Sequence, residues 1–229
     1  MPLLLLLTAC IHDLPWRDTA ADTGPEPDAP PTLPQIAAGG GDDGAFLRFE
    51  DLVAATGPTR DGRTFFLQTP EGDAGLRIDL SFAGTIGPLD PGDVISLQGY
   101  LDKDQGSPRL LVWEPDWLRR DTPVAPPTAS LLDLDAAPWS PNAGRLVRVE
   151  GLASLGCPDA VGDVRLADAP TLSDRFTPHP DGLLEDTRIA WVEGILVEEW
   201  GTWQLWPVGE GSVAGVSGGR PCLPSGIEP

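Results

Sequence analysis

The chain has 229 residues, and its 35 Asp and Glu outnumber its 15 Lys and Arg, which gives a formal net charge of −20 at pH 7. This acidity argues against a dedicated binder of duplex DNA or anionic lipid, because such proteins supply Lys and Arg to phosphate groups. Gly and Pro contribute 27 and 26 residues, but 41% of the chain is hydrophobic and eight residues are Trp. That content excludes a fully disordered chain, so we expect folded domains joined by Pro-rich segments.

The N-terminus starts with a run of five leucines, Leu3 to Leu7, which is too short to span a bilayer because a spanning helix needs about 20 residues. The segment Leu7-Thr8-Ala9-Cys10 resembles the lipobox of bacterial lipoproteins. The resemblance implies that residues 1–9 are a signal peptide and that Cys10 carries a lipid, through which the membrane is a partner. Ile11 in place of Asp implies an outer-membrane lipoprotein of the bacterial cell envelope, facing either the periplasm or the cell surface.

Residues 10–43 are predicted to form a disordered tether behind the lipidated cysteine. The segment has seven acidic residues against one Arg, and it has six Pro. A segment of this composition cannot bury enough apolar surface to offset the entropy lost on ordering. We therefore expect a partly extended chain that holds a folded domain away from a membrane.

Two related sequence units follow the tether. Several residues of the first unit recur unchanged 100 positions later, among them Gly44, Arg48, Glu50, Leu52, Pro58 and Gly62. At an offset of 95, Leu97-Gln-Gly-Tyr-Leu101 matches Val192-Glu-Gly-Ile-Leu196, and the order of the matches is preserved. Such self-similarity indicates an internal repeat. We predict domains at 44–120 and 144–216, with a linker at 121–143 and a C-terminal tail at 217–229.

Both units are predicted to consist of short strands bounded by Gly, Pro and Asp turns. In the first unit we expect strands at Phe46–Ala54, Arg63–Gln68, Leu76–Phe82, Val94–Leu101 and Arg109–Trp113. In the second unit we expect them at Leu146–Ser154, Val164–Ala167, Ile189–Val197 and Trp203–Trp206. Five strands with a long connection between the third and the fourth match the order of the OB-fold. The sequence thus predicts an all-β fold of two tandem five-stranded OB-like barrels, preceded by a disordered Pro-rich tether.

The motifs Arg148-Val-Glu-Gly151 and Val192-Glu-Gly-Ile-Leu196 carry a second resemblance. The pattern is similar to OB-like domains of secreted bacterial lipoproteins and of nuclease accessory modules. These motifs are structural, so the resemblance transfers no functional residue to this chain. Alternation along the fourth strand of each unit predicts that Leu97 and Ala190 point into the barrels.

The second unit contains the candidate ligand-binding residues Trp191, Trp200 and Trp203. Trp191 is predicted on the outer face of its strand, and Trp200 at the turn of the closing hairpin, a loop that contacts oligonucleotides or oligosaccharides in OB-folds. Glu198 and Glu199 beside Trp200 repel phosphates, so a neutral glycan or a protein suits this site better than nucleic acid. The alternative is structural: Trp191 is covered by the linker or the other unit, and Trp203 packs in the core or between the units.

The three cysteines divide into Cys10 and a pair, Cys157 and Cys222, which we expect to form a disulfide because an exported compartment is oxidising. Two free thiols, or pairing with another chain, are the alternatives. The sequence shows no serine-hydrolase elbow, no His-Glu-x-x-His motif and no phosphate loop. We therefore expect no enzymatic activity, no cofactor and no metal site.

These observations predict a non-catalytic, lipid-anchored envelope protein with a binding or scaffolding role, which acts through protein or neutral glycan contacts. One alternative is an OB-fold module for single-stranded nucleic acid, which rests on fold analogy alone and which the acidity disfavours. Another alternative is an accessory subunit of a secreted enzyme.

Overall fold

The computed structural model describes residues 30–82, 86–103, 106–136, 138–176, 178 and 185–220. Nearly all of its secondary structure is β, in two sheets, which confirms the predicted fold class. The elements around the first sheet are α1 (Leu33–Ala37), β1 (Phe46–Ala54), β2 (Thr64–Gln68), β3 (Gly75–Leu80), β4 (Val94–Asp102), β5 (Arg109–Val112), η1 (Pro115–Trp117) and β6 (Leu118–Asp121). Those around the second are β7 (Ser130–Leu131), η2 (Ser140–Asn142), β8 (Leu146–Ala153), β9 (Thr171–Leu172), β10 (Glu185–Glu199), β11 (Thr202–Pro207), β12 (Val213–Ala214) and β13 (Ser217–Arg220).

Strands β1 to β5 close into a barrel, called barrel 1. β1 pairs with β2, β2 with β3, β3 with β5 in parallel, β5 with β4, and β4 returns to β1. This is the OB-fold order expected from the sequence. Apolar side chains that alternate along each strand fill the interior, among them Phe65, Ile78, Ile95 and Leu110. A closed barrel offers few free sheet edges, so contacts with other molecules fall on its outer face and loops.

Strands β8 to β11 form the equivalent barrel, called barrel 2, whose second and third strands are reduced. β10 pairs with β8 and with β11, and β9 runs parallel to β11. Two isolated bridges complete the circuit, Ser154 with Leu166 and Val164 with Leu172. The expected strand at Val164–Ala167 is therefore present only as bridges, and the turn at Ala167 and Asp168, where Asp168 has a left-handed backbone (φ 49°), ends it after Leu166.

The two barrels share an irregularity in their first strands, which supports the internal repeat. Asp51 and Gly151, 100 positions apart, both have positive φ, 56° and 69°. In barrel 1 the register of β1 on β4 shifts at this point, as expected for a β-bulge. In barrel 2 the pairing of β8 with β10 skips Ala190. The prediction that Ala190 points inward is wrong: it is exposed, and Ile189 is buried instead.

Part of the predicted tether is ordered on barrel 1, which corrects the tether boundary at residue 43. Leu33 and Ile36 of α1 are buried in the core cluster of barrel 1. Downstream, Lys103 Nζ donates hydrogen bonds to the carbonyl oxygens of Gly39 and Gly41, at 2.7 and 2.6 Å. The average composition of the segment did not predict this short helix. Only two of its apolar side chains, Leu33 and Ile36, are needed to attach one helical turn to the core of barrel 1.

Barrel 2 packs against the outer face of β2 and β3 of barrel 1. Phe66 of β2, Leu146 of β8 and Trp206 of β11 belong to one buried apolar cluster between the barrels. The main chains also touch, since a Cβ atom on Gly75 would collide with the backbone of Gly144. In OB-folds the face of the second and third strands commonly binds ligand. In this chain barrel 2 occupies that face of barrel 1.

Candidate functional site

The three sequence-predicted binding residues make separate contacts. Trp200 lies at the turn between β10 and β11, with φ at 53° and 75% of its surface exposed. Trp191 is half-buried under Arg148, whose guanidinium carbon is 4.3 Å from the ring centroid. Trp203 packs edge-to-face on Trp139, with ring centroids 6.2 Å apart, in agreement with its structural interpretation. Among the ring contacts within the described residues, none joins two of the three predicted tryptophans.

Barrel 1 carries a larger aromatic cluster on its outer face, called the aromatic surface and formed by Phe46, Tyr100, Trp113 and Trp117. Phe46 and Tyr100 face each other across β1 and β4, with ring centroids 5.1 Å apart. The Tyr100 and Trp113 rings follow at 5.0 Å, and Trp117 contacts both Phe46 and Tyr100. Phe46 and Trp113, at the two ends of the row, are 49% and 51% exposed. The row therefore presents apolar ring surface to solvent on three neighbouring segments of the barrel.

A shallow groove of about 210 Å³ adjoins the aromatic surface beside Trp117. Its two lining arginines are each paired with an acid beside the groove, which offsets their charge. Arg48 donates to Glu50 at 2.8 Å, and Arg119 forms an ion pair with Asp121 at 3.1 Å. The repeated residues make the same ion pair at the surface of both barrels, Arg48 with Glu50 and Arg148 with Glu150 at 3.0 Å.

The aromatic surface is the counterpart, in the repeat, of the face by which barrel 2 packs on barrel 1. Phe46 pairs with Tyr100 as Leu146 pairs with Ile195. Tyr100 then pairs with Leu111 on β5, as Ile195 pairs with Trp206 on β11. In barrel 2 these positions are buried against Phe66 and its neighbours, and Trp206 is only 2% exposed. The same position of the fold is thus an internal interface in barrel 2 and an uncovered surface in barrel 1.

A cleft of about 280 Å³ lies where the two barrels meet. At its floor Arg77 donates to Glu199 at 2.5 Å and to Asp79 at 2.9 Å, and its guanidinium lies over the Trp206 ring. Burial is the largest single influence and acts to lower the pKa of Arg77, but the charges and hydrogen bonds of Asp79 and Glu199 together outweigh it, and the pKa is raised. Arg175 forms a longer ion pair with Glu199, at 3.6 Å. The acids and bases of this cleft neutralise one another, so it serves to join the barrels.

The remaining predicted features lie only partly within the described residues. Cys157 lies half-buried in the loop after β8, whereas Cys10, Cys222 and the predicted signal peptide lie outside the described residues. Within the part of the chain that the structure describes, no three His, Cys, Asp or Glu side chains are grouped to hold a metal ion. In the same part, the helices are too short or too polar to cross a membrane. No family model, no curated protein and no solved structure matches the chain.

Sequence reasoning missed the aromatic surface. Its rings come from positions far apart in the chain, and only the pairing of β1 with β4 joins Phe46 to Tyr100. The internal repeat contained a usable signal: at the offsets of 100 and 95, Phe46 and Tyr100 stand where the second unit has Leu146 and Ile195. The substitution of aliphatic residues by aromatic rings at equivalent outward positions indicates a surface with a different partner.

Proposed function

We propose that this chain is a non-catalytic, lipid-anchored protein of the cell envelope that acts as a scaffold by binding protein through its aromatic surface. The observation that carries the proposal is the uncovered row of Phe46, Tyr100 and Trp113, at the positions by which barrel 2 packs on barrel 1. Aromatic residues and Arg supply most of the binding energy of protein interfaces. Exposed apolar patches on a folded domain commonly mark such contacts.

A neutral glycan is the second candidate ligand of the aromatic surface, because the adjoining groove offers polar side chains such as Gln98 and Ser96, and its arginines are paired with nearby acids. The ring geometry favours protein. Neighbouring rings are tilted by 61° between Phe46 and Tyr100 and by 44° between Tyr100 and Trp113. Rings tilted in this way share no common plane on which successive sugar rings could stack, whereas tilted, edge-to-face arrangements are the usual packing of aromatic side chains in proteins.

Nucleic acid is disfavoured by two features. The chain carries a net charge of −20, and this charge repels phosphates. The strand 2–3 face of barrel 1, which would be the usual ligand face of an OB-fold, is covered by Trp206 and other residues of barrel 2.

Site-specific photo-crosslinking in intact cells tests the protein-binding proposal. A photoreactive phenylalanine analogue replaces Trp113 in one variant and Trp200, the most exposed tryptophan of barrel 2, in a matched control. We expect a protease-sensitive adduct at position 113, identified by mass spectrometry, and none at position 200. An adduct at position 200 alone would move the binding site to the hairpin predicted from sequence. Binding to an oligosaccharide array that Trp113→Ala abolishes, without a protein adduct, would favour the glycan.

The proposed anchor has its own test. Cys10→Ser removes the sulfur that the lipobox resemblance assigns to the lipid, so we expect loss of incorporated radiolabelled palmitate and release of the protein from the membrane fraction. Cys157→Ser serves as the control, because that cysteine lies in the folded part of the chain. Equal labelling of the two variants would contradict lipidation at Cys10.

A further inference from the structure

We infer that the aromatic surface of one copy binds the strand 2–3 face of barrel 2 in a second copy, so that this protein assembles head to tail. The inference rests on the proposed protein-binding function and names its partner. Its basis is the internal repeat: within one chain, the outer face of barrel 2 already packs on the strand 2–3 face of barrel 1. Among the residues that the structure describes, none covers the outer face of barrel 1 or the strand 2–3 face of barrel 2 as the barrels cover each other at the internal contact.

The contact between two copies is called the joint, and one half of it is the aromatic surface. Leu146 and Ile195 of barrel 2 are buried against barrel 1, and their counterparts Phe46 and Tyr100 have no covering barrel. The aromatic residues are larger than the aliphatic ones, so they present more apolar surface at the same position. Trp113 extends this surface at the end of β5, with 51% of its area exposed.

The second half of the joint lies on barrel 2, at the counterpart of the face that barrel 1 uses. In barrel 1 the amide of Ala55 donates to the carbonyl of Phe66 at 2.9 Å, and both side chains are buried under barrel 2. In barrel 2 the amide of Leu155 donates to the carbonyl of Arg165 at 2.8 Å, which makes these two residues the counterparts of Ala55 and Phe66. Leu155 is 59% exposed and Arg165 is exposed.

The chemistry of the two halves is complementary. Leu155 supplies an aliphatic side chain for the space between tilted rings, and Arg165 supplies a guanidinium that can lie over Tyr100 or Trp113 as a cation–π contact. The internal joint already contains such a contact, with the guanidinium carbon of Arg77 5.4 Å from the centroid of Trp206. The contact between copies would therefore contain the same kind of cation–π pair as the internal one, with Arg165 at the position of Phe66 rather than of Arg77.

The symmetry of the joint determines the kind of assembly. The two faces are different surfaces, so the contact is heterologous and each added copy leaves one face of each kind free. Such contacts build open rows rather than closed dimers unless the rotation closes a ring. Anchoring on a membrane would raise the effective concentration of the copies and favour the row.

Sedimentation analysis of complementary variants tests the inference on the full chain with Cys10→Ser, which removes lipid-driven association. Trp113→Lys disables the aromatic surface, since the new charge repels Arg165. Leu155→Ser with Arg165→Ser disables the other face. Trp200→Ala is the control, because Trp200 is even more exposed than Trp113 and belongs to neither face. Circular dichroism verifies that each variant is folded.

We expect the mass of wild type and of Trp200→Ala to rise with concentration beyond that of a dimer, and each disabled variant to associate at least tenfold more weakly. An equimolar mixture of the two disabled variants retains one intact joint per pair, so it forms dimers and stops there. Failure of this mixture to dimerise, or a wild type that stays monomeric at millimolar concentration, would overturn self-assembly. A monomeric wild type that still gives a foreign protein adduct at position 113 would leave the proposed function standing.

Discussion

Arg77 of barrel 1 and Glu199 of barrel 2 form a hydrogen-bonded ion pair of 2.5 Å across the contact between the barrels, with both side chains almost nine-tenths buried. Asp79 accepts from the same guanidinium at 2.9 Å and also from Arg109 at 2.9 Å. The pair thus connects the end of β10 to a network on the outer face of barrel 1. The contribution of this ion pair to the free energy of unfolding can be measured by substitution.

Glu199→Gln removes the charge that Arg77 faces across the barrel contact. Breaking a buried ion pair commonly costs about 3–5 kcal/mol. We expect a loss of about 2–3 kcal/mol in the free energy of unfolding in urea, because Arg77 keeps Asp79. Glu50→Gln is the matched control, since Glu50 pairs with Arg48 on the exposed surface and such pairs contribute under about 1 kcal/mol. Equal effects of the two substitutions would show that Glu199 does not stabilise the contact.

Gly75→Ala tests the backbone contact between the barrels. The added methyl group would collide with the carbonyl of Gly144, so the barrels must move apart or the strand must bend. Overpacking of this kind costs about 1–3 kcal/mol, and we expect a loss in that range by urea unfolding. Gly209→Ala adds the same methyl group where no atom lies within 4 Å. A Gly75→Ala protein as stable as Gly209→Ala would contradict the close approach of the backbone at Gly75 to the backbone at Gly144.

The pKa of Asp61 is lowered chiefly by a hydrogen bond from the hydroxyl of Thr59, at 2.6 Å. A lowered pKa in the folded state stabilises the protein above the unfolded value of 3.8, and this contribution is lost as pH falls through the folded value. Thr59→Ala should therefore raise the Asp61 pKa toward 3.8 in a carboxyl ¹³C NMR titration. The pKa of Asp159 is lowered mainly by backbone amides, so it should not change. An unchanged Asp61 value would exclude Thr59 as the main cause.

The proposed disulfide between Cys157 and Cys222 would close a loop of about 65 residues and contribute about 4 kcal/mol by the chain-entropy model. We expect the mature, non-reduced protein to contain no alkylatable thiol at either position, and its unfolding midpoint to fall after reduction. Mass spectrometry after alkylation decides the question. Two alkylated cysteines, or a mixed disulfide with another chain, would contradict the internal bond.

The extent to which the fold follows from sequence differs between elements. The prediction of β1 at Phe46–Ala54 is confirmed to the residue, because alternating apolar residues end at a Gly-Pro turn that stops the strand. The second strand of barrel 2 reduces to two bridges, since its pairing depends on contacts that local alternation does not report. Local reasoning also favoured the tryptophans at 200 and 203, which are close in sequence. The aromatic surface depends on strand register, which brings Phe46 next to Tyr100 across 54 positions of the chain.

The seating of α1 determines how mechanical tension in the preceding chain reaches the two barrels. Leu33 and Ile36 enter the core of barrel 1, while α1 also contacts η2, the short helix that precedes β8 of barrel 2. A pull on the N-terminal segment would therefore be delivered at the seam between the barrels and shared by both. That load would have to break the contacts of a single helical turn, Leu33 and Ile36 in the core of barrel 1 and α1 against η2, before it reached a barrel strand.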